Sequence, residues 1–466
     1  MANKKQNYNH MKFQKSFVIA GISCMAWLPA ETFGANQNKK PNILFILADD
    51  LGYGDLSCQG GKDIHTPNID QLFSSGVRFS NFYASCTVCS PTRASLMTGR
   101  YPDMVGVPGL VRGNKADNWG YLLPTAVTLP DMLKKAGYQT AIIGKWNLGL
   151  ETPNLPNERG FDFFHGFLSD MMDDYWTHLR EGVNFMRINK TEIDPQGHAT
   201  DIFSDWAIDY ISEKAGGKEP FFLYLAYNAP HFPIQPPKEW LEKVKKREGN
   251  IDEKRAKNVA LVEHLDYGIG RVIEALKKSG QYENTVIIFT SDNGGNLPSS
   301  ASNGKLRGGK QDMYEGGIKV PACMVWEGTV KAGSVSGKFG LTMDFYPTIC
   351  SIAGTSVLHT IDGIDLLPGL FGKGEDEEDH RMVYFMRREG GIYGGLCYYA
   401  ARKGPYKLVQ NTPFEGFQLF NIESDPYEEV PLDQKQFQEQ FKELKYGLSQ
   451  HIRKAGAIPW ENNETK

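Results

Sequence analysis

Short apolar runs and longer amphipathic stretches alternate along most of the chain. Four runs are continuously apolar and bounded by polar residues, at positions 42–48, 140–143, 221–226 and 286–290. Such runs are typical of strands that are buried on both faces of a parallel sheet. Helical periodicity occurs between them, at positions 129–136, 201–214 and 258–278. This alternation predicts an α/β fold for residues 40–373, with a large, mostly parallel or mixed central sheet sandwiched by helices.

A different pattern begins after a glycine-rich and then acidic stretch at positions 362–379, which we interpret as a surface linker. Beyond it, short apolar segments occur at positions 382–386, 397–401, 406–410 and 418–421, and a helical pattern occupies positions 436–454. Short apolar segments separated by turn residues are typical of antiparallel strands. We therefore predict a smaller C-terminal α+β subdomain, residues 380–466, that contains a short antiparallel sheet.

Polar residues directly follow each of the four predicted central strands. Asp49 and Asp50 follow the first, Lys145 follows the second, positions 228–231 follow the third and positions 291–293 follow the fourth. In an α/β sheet, ligands bind beyond the carboxyl ends of the strands. We therefore expect these four strand ends to converge on one functional site.

The first 34 residues have the pattern of a signal peptide. An uncharged run at positions 17–28 follows four lysines and precedes the small residues on either side of Phe33. The run is too short to span a bilayer as a helix, which takes about 20 apolar residues. We expect residues 1–34 to direct export to a periplasm or to the outside. Lipid anchoring at Cys24 is the less favoured alternative, because Gly21 stands three positions before it.

Composition and charge narrow the class of protein. Of 466 residues, 41% are hydrophobic and 23% are charged, which is typical of a globular protein with ample material for a core. The formal net charge is −4 and no long basic block occurs, so we expect no nucleic acid partner. No segment after position 34 is long and apolar enough for a transmembrane helix, so we expect no stable membrane insertion.

The seven cysteines do not resemble a dense disulfide framework. Cys86 and Cys89 have the C-x-x-C spacing, which would suit a zinc or redox site. No second C-x-x-C pair and no H-x-x-x-H pair accompanies them. The residues that follow Cys89 indicate a different chemistry.

Two strand ends carry adjacent residues with hard oxygen ligands, Asp49 with Asp50 and Asp292 with Asn293. Carboxylate and amide oxygens suit Ca²⁺ or Mg²⁺ and do not suit zinc. The competing interpretation is that these residues only cap helices or form turns, as Asp and Asn commonly do. The pattern of these two pairs alone leaves both interpretations open.

The segment at positions 89–100, CSPTRASLMTGR, resembles the C-x-P-x-R signature of type I sulfatases, which belong to the alkaline phosphatase superfamily. Other segments resemble the same family in order and spacing: NILFILADDLGYGD at 42–55, GKWNLG at 144–149, APH at 229–231, SDNG at 291–294, LRGGKQDMYEGGIKVP at 306–321 and MDFYPTICSIAG at 343–354. The resemblance covers the chain from about residue 40 to the C-terminus. It implies an alkaline phosphatase-like fold, hydrolysis of sulfate esters, and a maturation enzyme that oxidises Cys89 to formylglycine.

A formylglycine at position 89 matches the demands of this reaction. The hydrated aldehyde presents an oxygen nucleophile in place of a thiol, and its second hydroxyl offers a route to expel sulfate that serine lacks. A sulfate monoester gains negative charge on its leaving oxygen. A divalent cation and lysines would therefore stabilise the transition state.

The resemblance also implies a role for each candidate site residue. The implied Ca²⁺ ligands are formylglycine 89 and the four oxygen-bearing residues Asp49, Asp50, Asp292 and Asn293. The implied sulfate-binding groups are Lys145, His231 and Lys310. Arg93 is implied to support formylglycine, Asp292 to help deprotonate the attacking hydroxyl, and His231 to assist protonation of the leaving group.

Asn147 departs from the family pattern. Family members usually read GKWHLG where this chain reads GKWNLG, and that histidine is assigned as the base that helps to expel sulfate. Asparagine cannot accept a proton at neutral pH, although it can hydrogen-bond a hydroxyl or a sulfate oxygen. We expect substrate binding to survive while turnover slows, unless water or another group replaces the base.

The expected function is that of an exported sulfatase, acting on a carbohydrate or glycosaminoglycan-type glycan. One alternative is a sulfated-glycan binding protein in which Asn147 has weakened turnover. Another is a phosphoester or phosphonate hydrolase of the same superfamily, although no D-x-x-x-H pair for a second metal stands near Asp292.

The aromatic and acidic segment at positions 161–184 is a candidate for substrate selectivity. Of the other histidines, His65, His165 and His178 are candidate pocket residues. His264 is interpreted as a core residue.

Overall fold

The apolar run at positions 42–48 forms a strand at the centre of a ten-stranded mixed sheet. The computed structural model describes residues 39–114, 120–371, 381–390 and 393–458, which belong to one compact unit. The predicted signal peptide and the acidic part of the predicted linker, residues 374–379, lie outside the described residues. Among those described, no helix has the length and apolar character needed to cross a membrane.

The strands in chain order are β1 (Asn42–Ala48), β2 (Val77–Phe79), β3 (Phe82–Tyr83), β4 (Gln139–Lys145), β5 (Phe163–Phe167), β6 (Leu179–Arg180), β7 (Val183–Asn184), β8 (Met186–Ile188), β9 (Thr191–Glu192), β10 (Phe221–Ala226), β11 (Thr285–Ser291), β12 (Ala322–Trp326), β13 (Ser334–Ser336), β14 (Gly340–Leu341), β15 (Val383–Arg388), β16 (Cys397–Lys403), β17 (Tyr406–Gln410) and β18 (Gln418–Asn421). The helices are α1 (Pro67–Ser75), α2 (Cys89–Thr98), α3 (Leu129–Lys135), α4 (Ala199–Glu213), α5 (Lys238–Glu248), α6 (Glu253–Lys278), α7 (Glu315–Ile318), α8 (Phe345–Ile352), α9 (Leu367–Leu370) and α10 (Gln438–Ala455). All four predicted central strands and all three predicted helices are present, with ends shifted by a few residues.

The centre of the sheet is parallel, and its flanks contain antiparallel pairs together with one parallel pair, β2 with β13. Strand β1 pairs in parallel with β10 and β11, β10 pairs in parallel with β4, and β4 with β5. Strands β12 and β8 join this parallel core in antiparallel orientation. The prediction of a mostly parallel or mixed central sheet is therefore confirmed.

Both faces of the sheet are covered, which explains why its central strands are apolar without alternation. All seven residues of β1 are buried. Leu44 and Ile46 belong to the core beneath α1, α4, α5 and α6, whereas Ile43 and Phe45 belong to the core beneath α3 and α8. Side chains alternate between the two faces of a strand, so a strand between two helical layers is apolar at every position.

The C-terminal strands β15 to β18 form a separate four-stranded antiparallel sheet, as predicted. One face of this sheet, which includes Ala400 and Val409, packs against Met313 and Tyr314 near the end of the central sheet. The other face is covered by Leu444 and other residues of α10. The predicted subdomain boundary near residue 380 stays a prediction.

The predicted linker is wrong for the part that the structure describes. The backbone N–H groups of Asp362 and Gly363 both donate to the carbonyl of Gly99, at 2.8 and 2.9 Å. Leu366 is buried, and its N–H donates to Oγ1 of Thr348. Residues 362–371 therefore pack against the core. Their glycine-rich composition is typical of a surface loop, but hydrogen bonds to distant segments satisfy the polar groups of their backbone.

Candidate active site

Four strand ends converge at the carboxyl edge of the central sheet, as the sequence predicts. Asp49 follows β1, Lys145 ends β4, His231 lies five residues beyond β10, and Asp292 follows β11. Backbone hydrogen bonds connect these ends: the N–H of Asp49 donates to Ala229 O at 3.1 Å, and that of Asp292 to Ala48 O at 3.2 Å. All four side chains are brought to one buried site.

Cys89 is the first residue of α2, and its thiol faces this site. The Sγ atom lies 3.3 Å from Oδ1 of Asp49, and the residue is 1% exposed. Pro91 occupies the first turn of the helix, where its missing N–H removes no helical hydrogen bond. Arg93 is one turn further on and therefore lies on the same face as Cys89.

Buried ion pairs connect the cationic and anionic residues of the site. Arg93 donates to Oδ2 of Asp292 through Nη2 at 2.8 Å and Nε at 3.2 Å. The Nζ atom of Lys145 is 2.5 Å from Oδ2 of Asp49, and that of Lys310 is 2.7 Å from Oδ2 of Asp50. Each ammonium group is thus held beside a carboxylate, at the position where an anionic substrate would meet positive charge.

His231 has a defined protonation pattern. Its Nδ1–H donates to the carbonyl of Phe232 at 2.6 Å, which leaves Nε2 with a lone pair. Nε2 lies 3.0 Å from Nζ of Lys310 and accepts a hydrogen bond from it. Burial and the charge of Lys310 lower the pKa of His231, so the imidazole is neutral at neutral pH and presents Nε2 to the site.

The oxygen-rich side of the site fits a hard divalent cation. Asp49, Asp50, Cys89 and His231 each place one ligand atom within 4.8 Å of the others. Asn293 donates through Nδ2 to Oδ1 of Asp50 at 2.8 Å, while its own Oδ1 is buried without a hydrogen-bond partner. A buried acceptor without a donor is costly, and a cation would satisfy it.

The surroundings of the site shift the pKa values of Asp49 and of the Cys89 thiol in opposite directions. Burial opposes ionisation of Asp49, but the charges of Lys145, Arg93 and Lys310 outweigh it and lower its pKa. Burial and the negative charge of Asp49 raise the pKa of the Cys89 thiol well above its usual value. An unmodified cysteine here is therefore protonated and a poor nucleophile.

Asn147 is the one predicted site residue whose side chain makes no hydrogen bond or ion pair with another predicted site residue within the described chain. It has a φ of 58°, in the left-handed region that asparagine tolerates better than most residues. Its Nδ2 donates to Val111 O at 2.8 Å, and its Oδ1 is buried without a hydrogen-bond partner. The N–H of Val111 in turn donates to Oγ of Ser90, next to Cys89.

The sequence analysis did not identify a group from the C-terminal sheet that adjoins the site. Glu389, which directly follows β15, is fully buried between the guanidinium groups of Arg112 and Arg387, at 2.7 and 2.9 Å. The ring of Tyr393 lies beside both arginines, and its hydroxyl lies 3.4 Å from Nε2 of Gln311, the residue after Lys310. No local pattern predicts this group, because its members come together only when the two sheets pack.

The four further histidines have other surroundings. The ring of His165 stacks on Trp206 of α4, and Nε2 of His178 contacts the carbonyl of Gly197. His65 is exposed. His264 is buried and pairs with Asp201, as its interpretation as a core residue requires.

Within positions 161–184, Tyr175 has a direct connection to the site. Its hydroxyl lies 2.8 Å from the carbonyl oxygens of both Asn228 and His231. The segment therefore supports the loop that carries His231. Its role in substrate selectivity stays a prediction.

The chain is similar to known sulfatases in sequence. Residues 41–355 match the family model described as Sulfatase, and residues 309–454 match the model described as N-sulphoglucosamine sulphohydrolase, C-terminal. The chain is 33% identical over 366 residues to N-acetylgalactosamine-6-sulfatase of Canis lupus familiaris, covering 72% of this chain and 67% of that protein. It is 30% identical over 457 residues to arylsulfatase J of Mus musculus, covering 87% and 74%.

A solved structure is similar in fold as well as in sequence. The crystal structure of Ps i-CgsB in complex with k-i-k-neocarrahexaose superposes with a TM-score of 0.83 at 32% identity, covering 92% of this chain and 96% of that one. The Sulfatase model alone spans more than half of the chain. The chain is therefore a member of the sulfatase family and a sulfuric ester hydrolase.

Proposed function

We propose that this sulfatase removes sulfate esters from a carbohydrate chain, with Cys89 converted to formylglycine and a Ca²⁺ ion bound beside it. The observation that carries the proposal is the position of Cys89. Its Sγ atom lies at the start of α2, 3.3 Å from Asp49 and buried among acidic and basic side chains. Because its thiol has a raised pKa, a chemically altered residue 89 serves the reaction better than cysteine does.

The carbohydrate class is supported by the names of similar proteins. One relative is an N-acetylgalactosamine-6-sulfatase, and the similar solved structure contains k-i-k-neocarrahexaose. The arginine and tyrosine side chains around the buried Glu389 lie close to Gln311, next to Lys310, and would recognise the sugar that carries the sulfate. We propose a sulfated glycan of glycosaminoglycan type as the substrate.

The residues of this chain divide the work between binding and proton transfer. Lys145 and Lys310 place two ammonium groups where the sulfate oxygens would lie, and both come from rigid surroundings that reduce the cost of reorganisation. Nε2 of His231 accepts a hydrogen bond from Lys310, and a ring that has taken up a proton from solvent would donate it to the leaving oxygen. Arg93 donates two hydrogen bonds to Asp292, and the carboxylate held in this way would accept a proton from residue 89.

Asp49, Asp50, Asp292 and Asn293 would hold Ca²⁺ together with residue 89. The ion would supply positive charge that stabilises the negative charge developing on sulfate and on the nucleophile. The buried, unpartnered Oδ1 of Asn293 supports this ligand set. Formylglycine would supply two hydroxyl oxygens on one carbon when hydrated.

A binding protein with weak turnover is the second candidate, and Asn147 is the observation that favours it. Its side chain is directed to Val111 and has no proton-accepting atom at neutral pH. The site otherwise contains every binding group that the family pattern implies. Export to the periplasm or to the outside is part of the proposal and is tested by locating the protein in fractionated cells.

The proposed function is tested by mass spectrometry and by a desulfation screen. Peptides that contain residue 89, from protein made in its native host, should show the mass of formylglycine. Sulfated mono- and disaccharides should lose sulfate with the wild type, whereas Cys89→Ala should lose all activity and keep its thermal stability, because one small buried side chain is truncated. An unmodified Cys89 together with full activity would contradict the proposal.

A further inference from the structure

Lys310 is the second residue of a tight turn. The N–H of Asp312 donates to the carbonyl of Gly309 at 2.9 Å, which closes a four-residue turn around Lys310 and Gln311. Gln311, the third residue of the turn, has a φ of 82°. A positive φ at this position is typical of a type II turn, where glycine or asparagine is the usual residue. The turn is therefore unfavourable for its own sequence, and contacts from the surrounding structure must hold it.

The carboxylate of Asp312 joins the two ends of this turn. Its Oδ2 accepts from the N–H of Gly309 at 2.9 Å, in addition to the backbone bond that closes the turn. Its Oδ1 accepts from Nδ2 of Asn411 at 3.0 Å. The carboxylate reaches the N–H of Gly309 only in one orientation, and the bond from Asn411 favours that orientation.

Asn411 directly follows β17 of the C-terminal sheet. While its Nδ2 donates to Asp312, its Oδ1 accepts from the N–H of Met313 at 2.6 Å. A second residue of the same sheet contacts the turn itself, since Nη1 of Arg387 donates to the carbonyl of Gln311 at 3.3 Å. One amide side chain of the C-terminal sheet therefore binds both residues at the exit of the turn.

The central part of the fold holds only the middle of the turn. The N–H of Lys310 donates to Gly295 O at 3.0 Å, and the N–H of Gln311 donates to Thr87 O at 2.9 Å. These two bonds leave the exit of the turn to the contacts of Asn411. Loss of the Asn411 side chain should therefore loosen the turn without abolishing it.

We propose that Asn411 is a positioning residue for Lys310. Through Asp312 it holds the turn, and the turn sets the direction of the Lys310 ammonium group, whose Nζ lies 2.7 Å from Oδ2 of Asp50 and 3.0 Å from Nε2 of His231. The C-terminal sheet thus controls the affinity for sulfate through a residue that does not touch it. The inference rests on the proposed function, because it takes Lys310 as a sulfate-binding residue.

The experiment measures binding of inorganic sulfate by calorimetry to the full chain carrying Cys89→Ala. Asn411→Ala removes both side-chain bonds and should weaken sulfate binding about tenfold. Asn411→Asp keeps the acceptor for Met313 but places a second carboxylate beside Asp312, and should weaken binding at least as much.

The matched control is Asn421→Asp, which makes the same change of charge at the end of β18. Oδ1 of Asn421 accepts from the N–H groups of Glu423 and Ser424, and aspartate can do the same. This variant should bind sulfate like the parent protein.

Two double variants separate positioning from a general loss of stability. Asn411→Asp combined with Asp312→Asn exchanges the two side chains and restores every donor, every acceptor and the net charge, so sulfate affinity should return to within about threefold of the parent value. Asn411→Ala should have no further effect once Lys310→Ala has been made, because it acts through that ammonium group. A merely structural role would weaken binding equally with and without Lys310.

Lys310→Ala and desulfation of N-acetylgalactosamine 6-sulfate by the Cys89-containing enzyme distinguish the two proposals. If Lys310→Ala weakens sulfate binding and Asn411→Ala does not, the positioning role is wrong and the proposed function stands. If Asn411→Ala acts through Lys310 but no sulfated sugar is hydrolysed, the positioning role stands and the proposed function is wrong.

Three results would overturn the positioning role of Asn411: equal losses with and without Lys310, no recovery in the exchanged variant, or no sulfate binding by the parent protein. Thermal unfolding of each variant shows whether it is folded. Asn411→Asp and its exchange with Asp312→Asn decide the matter if Asn411→Ala does not fold.

Discussion

The Nη2 atom of Arg93 lies 2.8 Å from Oδ2 of Asp292, and both side chains are completely excluded from solvent. The same guanidinium group donates through Nη1 to the carbonyl of Lys145 at 3.1 Å. One arginine therefore connects α2, which carries Cys89, to the ends of two central strands. The position of residue 89 relative to the carboxylates depends on this arginine.

Replacement of Arg93 by methionine should destabilise the protein strongly. Removing one member of a buried ion pair leaves the other charge uncompensated, which costs about 3 to 5 kcal/mol. Arg93→Lys should recover part of the stability and little of the activity, because lysine cannot make the paired hydrogen bonds to Asp292. Urea unfolding and sulfate release measure the two effects.

Arg255→Met is the matched control for this prediction. Arg255 lies on α6 and pairs with Asp55 and Asp63, none of which is a predicted site residue. Its side chain is 15% exposed. Its loss should lower stability but leave the turnover of the folded enzyme near the wild-type value. Equal activity of Arg93→Met and Arg255→Met would show that Arg93 has no role beyond stability.

The Asn147→His variant should speed the step that releases sulfate. Loss of a general base typically costs about 10² to 10⁴ in rate, and the wild type should therefore release alcohol in a rapid burst followed by slow sulfate release. Histidine at 147 must adopt the observed φ of 58°, which disfavours it relative to asparagine. Single-turnover kinetics of both products measure the two phases.

Asn147→Ala serves as the control, because it removes the side chain without supplying a base. It should leave the slow phase unchanged or slower. Equal rates of alcohol and sulfate release in the wild type, with no gain from histidine, would mean that another group acts as the base. His231 would then be the first candidate, since its Nε2 faces the site with a lone pair.

Removal of single oxygen ligands should lower metal content and turnover together. Asp49→Asn and Asp292→Asn each remove a formal charge, and Asn293→Ala removes the buried oxygen that has no other partner. Elemental analysis of the purified wild type should find one Ca²⁺ per chain. Two zinc ions per chain, or unchanged metal content in all three variants, would contradict the assignment of these ligands.

Acid should destabilise the folded protein through His198, which begins α4. Its Nδ1 accepts from the N–H of Thr200 and its Nε2 donates to the carbonyl of Gln235, and the first of these bonds requires the neutral ring. Burial and the neighbouring His264 lower its pKa from 6.5 to about 4. Between these two pH values the unfolded chain binds the extra proton, so the free energy of unfolding falls with acidification by up to about 1.4 kcal/mol per pH unit.

His198→Asn tests this pH dependence, since asparagine can still accept from the start of the helix but does not titrate. The variant should lose less stability than the wild type between pH 6.5 and 4, measured by urea unfolding at each pH. His178, Asp201 and His264 also face this cluster and stay in the variant. An identical pH profile for the two proteins would assign the acid sensitivity to those groups instead.

The sequence by itself determined the central strands, the main helices and the convergence of four strand ends at one edge of the sheet. Strands such as β1 are buried on both faces, so their apolar character is continuous and visible in a short window. Asp49, Lys145 and Asp292 stand at the ends of such strands, and strand ends meet at one edge of a parallel sheet. Local pattern therefore carried enough information to place Asp49, Lys145 and Asp292 together.

Only the tertiary structure decided the surroundings of these residues. Residues 362–371 have the composition of a loop, yet Asp362 and Gly363 bind to the carbonyl of Gly99 far back in the chain. The group around Glu389 comes from the C-terminal sheet and contacts Gln311, the residue after Lys310, and the side chain of Asn147 turns to Val111. These contacts join segments that are distant in sequence. Each contact depends on how two layers pack, and the periodicity of a single segment carries no information about that packing.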